Sequence, residues 1–446
     1  MVIFTGIAAA STLRPAAKHP NKTRTGRPVT ISGRRKLRFA HNHHRLIIAK
    51  FGGSSLSSPA RIAQAVNTVA REYSRGTRLV VVVSAIGKTT DRLLELTNHG
   101  SGMVETDRDD ILAMGERTSA RIFTASLKSR GVQARYFDPA DRDWPIITDN
   151  QFSNANPLRE TSVKRIIRYV QPLLGDGIVP IISGFIGKTK DGRISTLGRG
   201  GSDTTALLLA NALQANEVVL VTSARGILSG DPSLIPNTRV IPEISMKALI
   251  GIADAGTKFI HRKALRFKDP NVNIRVIQNT SERIDRHGTI ITGQPLPELD
   301  VTLQNPHPVA SVTLVGRDLA RRPELIKKAT QVARSNLVAV SQDSDSAIFY
   351  LKQTGGLKQL VDELHYITVN DPAGIAIAIR MGMAHIIVKG VGLEDTPGVI
   401  AKISDALRSN AINIFGILTI TSSVHVVVDW KTRRKAAHLI RNSLEN

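Results

Sequence analysis

The chain contains no cysteine. That excludes disulfides, thiolate catalysis and cysteine-ligated zinc together, and leaves the redox compartment undetermined. Aromatic residues make up only 4% of the 446 positions, too few for the stacking platforms of a single-strand nucleic-acid binder. No uninterrupted apolar run is long enough to cross a bilayer, which excludes an integral membrane protein. Acidic residues are missing from the start of the chain, where Glu72 is the first, while residues 1–45 hold ten Lys or Arg, including Arg34, Arg35 and Lys36. This basic stretch, rich in Ser, Thr, Pro and His, reads as a disordered extension. It has the composition of an organelle transit peptide and equally that of a mis-assigned translation start. The expected location is therefore cytoplasmic, or an organelle if the extension is a targeting segment. Because much of the formal charge of +23 sits there, the charge loses its force as a sign of nucleic-acid or membrane partners.

What remains is ordinary for a soluble globular protein, with 41% apolar and 22% charged residues and length for roughly three domains. Folded structure is expected from Leu46. Short apolar runs at 46–49, 79–83, 178–183 and 218–222 alternate with helical stretches at 59–73, about 109–129 and 206–213, and 84–91 reads as a loop. That alternation is the signature of a mostly parallel α/β sheet sandwiched by helices, here over 46–298. The remainder, 305–446, repeats itself. Val315-Gly316, a helix ending at Asn336, strands through 348–351 and a helix from Leu357 are matched by Val391-Gly392, a helix ending at Asn410, strands through 425–428 and a helix from Arg433. Two ferredoxin-like βαββαβ modules follow, about 305–380 and 381–446, with intertwining left open.

The densest chemistry lies at Gly184-Phe185-Ile186-Gly187 and at 195–205. There a glycine-rich turn, Arg199 and a Ser202-Asp203 pair, read as a cap, precede the apolar helix. Unpaired amides and the dipole at a helix start make a phosphate or carboxylate cradle, and an arginine adds a fork of donors. Lys50, followed by Gly52 and Gly53, ends a strand where open α/β sheets bind ligands. Ser84, Thr89, Thr90 and Asp91 follow another strand. Gly115 interrupts a good helix, explained either by close helix packing or by the placing of Glu116 against an ammonium group. Asp231-Pro232 and Gly256-Thr257-Lys258 read as loop and surface charge. The histidines show no metal-ligand spacing, so no protein-only metal site is expected.

In order and spacing, Lys50-Phe51-Gly52-Gly53-Ser54-Ser55, Val83-Ser84-Ala85 with Thr90, Met114-Gly115-Glu116, Gly184 to Gly187 and Thr196 to Thr205 resemble the aspartokinases, and the two terminal modules resemble their paired ACT domains. The resemblance covers nearly everything from Leu46. It implies phosphorylation of the side-chain carboxylate of L-aspartate by ATP, with Mg2+ held through the nucleotide phosphates, at the head of the lysine, threonine and methionine branch. It also implies an amino-acid effector and a homodimer or higher oligomer formed through the ACT domains. Lys50 and Asp203 would be catalytic; Ser84, Thr90, Glu116, Phe185, Arg199 and Ser202 would hold the amino acid. Lys50, Gly52, Gly53, Thr222, Ser223, Leu228, Asp231 and Lys258 fall at nucleotide positions, and Asp395, Pro397, Gly398, Asn410 and Asn413 at effector positions. Departures cluster on the nucleotide side: Ser223 stands for an acid, Leu228 for a tyrosine and Ser233 for an arginine, which predicts weaker ATP binding. The first module has Arg322-Pro323-Glu324 where the family opens a helix with Pro-Gly, which predicts weak inhibition by lysine or threonine. A kinase of another carboxylate-bearing amino acid, and a catalytically weak ACT-containing sensor, stay open as alternatives.

Overall fold

The computed structural model describes residues 45–98, 102–253, 260–284, 288–294, 299–303, 306–390, 393, 396–419 and 423–445. Residues 1–44, Lys258 and Asp395 lie outside them.

The strands of the first half are β1 (Leu46–Phe51), β2 (Arg78–Val83), β3 (Ala134–Phe137), β4 (Ile147–Thr148), β5 (Val179–Ser183), β6 (Ile186–Thr189), β7 (Ile194–Thr196), β8 (Glu217–Thr222), β9 (Glu243–Ser245), β10 (Asn273–Gln278) and β11 (Thr289–Thr292). Eight of them form one sheet in the order β3-β5-β2-β1-β8-β10-β11-β9, parallel throughout except where β11 runs against β10. The helices are α1 (Pro59–Ser74), α2 (Thr89–Asn98), α3 (Glu105–Lys128), α4 (Arg159–Tyr169), α5 (Gln171–Gly175), α6 (Gly201–Leu213), α7 (Met246–Ala253) and α8 (Arg262–Leu265). Both faces of the sheet are covered, which is why β1 and β2 are apolar without alternation. Leu46, Ile48, Val80 and Val82 pack with Leu207 and Leu208 of α6 on one side. Ile47, Ala49, Phe51 and Val81 pack with Val66 of α1 and Phe123 of α3 on the other.

Three local readings are corrected. The segment 84–91 is not all loop, because α2 starts at Thr89 and places Asp91 in its first turn, where an acid suits the helix dipole. The long helix starts at Glu105 rather than near Asp109. Ser202 and Asp203 do not cap a helix at 206; α6 begins at Gly201, its N-cap is Gly200 at φ 74°, and no side chain caps it. A small sheet of β4, β6 and β7, inserted beside the glycine turn, had no clear sequence signal because its strands are two to four residues long.

The second half contributes β12 (Asp300–Leu303), β13 (Val309–Gly316), α9 (Pro323–Ala333), β14 (Leu337–Gln342), β15 (Ser346–Lys352), α10 (Leu357–Val369), β16 (Gly374–Lys389), α11 (Val399–Arg408), β17 (Gly416–Thr419), β18 (Ser423–Asp429) and α12 (Arg433–Glu445). The repeated order of elements is present, but the modules are not separable at 380. Strand β16 is 16 residues long; its first part pairs with β13, and from Met383 it pairs with β18. Strand β12, which precedes the first module, joins the second by pairing along 386–389. Each module keeps its own core, around Leu314 and Phe349 in the first and Ile386 and Val426 in the second. A third cluster of Val309, Tyr350, Met383 and Val427, with Phe415 and Leu418 against it, joins the helix-free faces of the two. The modules therefore cover part of each other's bare face within one chain. A Cβ on Gly416 would stand 2.5 Å from the Tyr350 hydroxyl. Gly416→Val should destabilise this packing by about 2 kcal/mol, seen as faster hydrogen exchange in β15 and β17 with no change in β1 or β2.

Candidate functional site

Lys50 leaves the carboxyl end of β1 and meets the first turn of α6, its Nζ 2.7 Å from Asp203 Oδ1. Tight turns permit this approach. Gly198 and Gly200 both have left-handed backbones, and a Cβ on Gly200 would lie 2.1 Å from His261 Cβ. A Cβ on Gly184 would lie 2.6 Å from Ser202 Cβ. Phe185 is itself left-handed at φ 67°, a strained state for a bulky residue and one that clusters at functional sites. Ser84 Oγ donates to Ser202 Oγ at 3.0 Å, so the ends of β2 and the start of α6 are linked.

Glu116 is carried by α3 and is 3% exposed. Its Oε1 accepts from the Ala85 amide at 3.0 Å and from Thr90 Oγ1 at 3.5 Å, while its Oε2 has no partner. Burial pushes its carboxyl up to about 7, against the hydrogen bonds from Ala85 and Thr90. The close-packing explanation for Gly115 applies: a Cβ there would meet Ala85 Cβ at 2.9 Å, so the missing side chain lets α3 press against 85–90, next to Glu116.

One cavity of about 630 Å³ collects Lys50, Ser84, Thr90, Glu116, Phe185, Arg199, Ser202 and Asp203. Every residue expected to be catalytic or to hold the amino acid thus lines a single space. Of the described residues expected to meet a nucleotide, Lys50 alone lines it. Gly52 donates its amide to Val221 O at 3.2 Å, and a Cβ on Gly53 would be 2.7 Å from Gly87 O, so Gly53 serves close backbone packing. Thr222 Oγ1 accepts from the Ala224 amide. Gln278 reaches Ser223 O. Leu228 bridges to Val240. The Asp231 carboxylate accepts from the Ser233 amide and hydroxyl, which hold its pKa below the usual range. In the C-terminal half, a second cavity of about 290 Å³ is lined by Gly398, Thr396, Val399, Thr419 and Ser423; Pro397, Asn410 and Asn413 are not in its lining.

Two charged residues escaped the sequence reading. Asp109 is fully buried seven residues before Glu116, on the same side of α3. It accepts from the Thr196 amide (2.7 Å) and hydroxyl (2.9 Å) and from the Ser153 amide (2.8 Å) and hydroxyl (3.3 Å). Burial pushes its pKa up, and these four donors oppose that shift. From the other side Lys263 Nζ donates to Asn154 O and Oδ1, Ala155 O and Leu197 O at 2.8 to 3.1 Å. The pair clamps the strand entering the glycine turn. Nothing in the sequence marks it, because the partners are 44 to 109 positions apart.

Comparison with known proteins agrees with this layout. Residues 45–278 match the model of the amino acid kinase family, more than half of the chain. The chain belongs to the amino acid kinase family. The model of the ACT domain matches residues 379–442 of this kinase, from within β16 onward. The kinase is 29% identical over 425 residues to the aspartokinase of Bacillus sp. (strain MGA3), covering 90% of this chain and 97% of that one. It is 29% identical over 416 residues to the aspartokinase of Thermus thermophilus, covering 90% and 98%. The crystal structure of aspartate kinase from Synechocystis superposes with a TM-score of 0.75 at 25% identity, over 90% of this chain and 70% of that one. Among the described residues, no helix of the kinase is long and apolar enough to cross a membrane.

Asp109→Ala would strand four donors and loosen the turn that carries Arg199. We expect a more than tenfold fall in kcat/KM, about 1.4 kcal/mol or more of transition-state stabilisation, measured by steady-state kinetics.

Proposed function

We propose that this kinase is an aspartate kinase, transferring the γ-phosphoryl group of ATP to the side-chain carboxylate of L-aspartate to give 4-phospho-L-aspartate and ADP. The observation that carries the reading is the convergence in one cavity of the Lys50–Asp203 pair, the free Glu116 oxygen and Arg199. A buried carboxylate with one oxygen unused suits an α-ammonium group. A guanidinium without an ion pair suits a carboxylate. Likeness along nearly the whole chain to the aspartokinases named above supports the same choice of acceptor.

The chemistry needs positioning and charge neutralisation more than covalent participation, and the acceptor carboxylate is already ionised, so no general base is required. Asp203 orients Lys50, and Lys50 neutralises charge that gathers on the transferred phosphoryl group. Ser84 and Ser202 fix the reacting carboxylate, and Phe185 closes the cavity against water. Magnesium would enter on the nucleotide phosphates. When bound it spreads the phosphate charge. The C-terminal half would carry regulation, with a small amino-acid effector in the cavity beside Gly398 and a second copy of the chain covering the exposed Ile375, Ile379 and Met381 of β16.

Trapping of acyl phosphate with hydroxylamine, run with L-aspartate, L-glutamate and no amino acid, tests the reading. Hydroxamate should form with L-aspartate only, and Lys50→Ala should abolish it while the fold is retained. Formation with L-glutamate, or with neither, would overturn the acceptor or the activity.

Glu116 also predicts a pH dependence. Only its ionised form attracts an ammonium, and in the free site it ionises at about 7. The KM for L-aspartate should therefore rise about tenfold for each pH unit below 7 and level off above it. Glu116→Gln should flatten that profile at a high KM. Without ligand, the same substitution should raise Tm at pH 8, because it removes a carboxylate that is charged there at the expense of burial. The sign follows from the raised folded pKa: the wild type binds more protons folded than unfolded between about 4.5 and 7 and loses stability as pH climbs through that window.

A further inference from the structure

Arg108 belongs to none of the sequence motifs described above. It is the fourth residue of α3, where the helix dipole disfavours a cation, so its position requires another reason. It lines the same cavity as Arg199 and shares one stripe of α3 with Leu112 and Glu116, four and eight residues further on. Its Nη2 donates to Asn98 Oδ1 at 2.5 Å, whereas its Nε is buried and bonded to nothing. Among the described residues neither Arg108 nor Arg199 has an ion pair. The exposed Asp91 shares the lining and leaves the guanidinium unoccupied. Two guanidinium groups without counter-ions on one cavity, one with a desolvated donor unused, call for an anion between them.

We infer that Arg108 binds the α-carboxylate of the amino-acid acceptor from the α3 wall of the cavity that Arg199 also lines. The inference rests on the aspartate kinase reading. Eight residues of helix separate the Cα atoms of Arg108 and Glu116 by about 12 Å. An amino acid whose ammonium meets Glu116 Oε2 fills part of that span, and the long arginine side chain closes the rest. The β-carboxylate is then left to Lys50, Ser84 and Ser202. Arg108 is thus a specificity-determining group: it favours acceptors that carry an α-carboxylate beside the ammonium.

The competing role is a staple, with Arg108 doing no more than tie α3 to α2 through Asn98. Three variants separate the two: Arg108→Met, Arg108→Lys and Asn98→Ala, each assayed by hydroxamate formation over a range of L-aspartate and ATP. We expect Arg108→Met to raise the KM for L-aspartate about ten- to a hundredfold, the worth of a charge-assisted hydrogen bond, with kcat and the KM for ATP nearly unchanged. Arg108→Lys keeps the charge and the stem; it should fold where the methionine variant fails and show a smaller rise in the same parameter. Asn98→Ala should leave the KM for L-aspartate at its wild-type value. A wild-type KM in both Arg108 variants, or a rise in Asn98→Ala equal to that in Arg108→Met, overturns the inference. Hydroxamate formation by the wild type tests the aspartate kinase reading separately, since its absence would defeat that reading before any variant is compared.

Discussion

The 2.7 Å contact between Lys50 and Asp203 is the constraint on which the first half of the molecule turns. It joins the end of a central strand to the start of a helix buried from Gly201 to Ala210, and both charges are largely withdrawn from water. A pair in that position is stabilising only when geometry is well held, since desolvation offsets much of the attraction. The glycines at 184, 198, 200 and 201 supply that geometry. Each stands where a side chain would collide with Ser202, Asn154, His261 or Phe185. Asp109 and Lys263 then hold the turn from both sides. The cavity is the space this arrangement leaves open.

Glu116 shows the reverse side of the same design. A buried carboxylate with one oxygen unbonded is unfavourable for the free protein, and its raised pKa measures that cost. Among the described residues its compensation is the Ala85 amide, its own backbone amide and a long contact to Thr90. Stability is thus reduced at a residue that lines the cavity, as is common where a site is organised in advance.

The C-terminal half is organised by a shared strand. Because β16 belongs to both modules, it ties their two sheets into one. The cluster around Tyr350, Met383 and Val427 couples their faces as well. Coupled packing of this kind connects the cavity beside Gly398 to the whole sheet, through the pairing of β16 with β18, whose first residues Ser423 and Val424 line that cavity.

Much of this was legible in the residues alone. The apolar runs at 46–49 and 79–83 marked doubly covered parallel strands, and the repeat after residue 305 marked two βαββα units, because periodicity and burial are local properties of sequence. Glycine patterns located the turn, and the residues around it proved to share one cavity. What the sequence left undecided depends on contacts between distant positions. The clamp by Asp109 and Lys263, the lone oxygen of Glu116 and the gathering of Arg108 and Arg199 on one cavity exist only once α3, β7 and α6 have packed. Likewise, the repeat pattern could not reveal that β16 runs through both modules or that β12 crosses into the second. Which strands pair across the modules depends on contacts between positions far apart in the chain, which local periodicity does not encode.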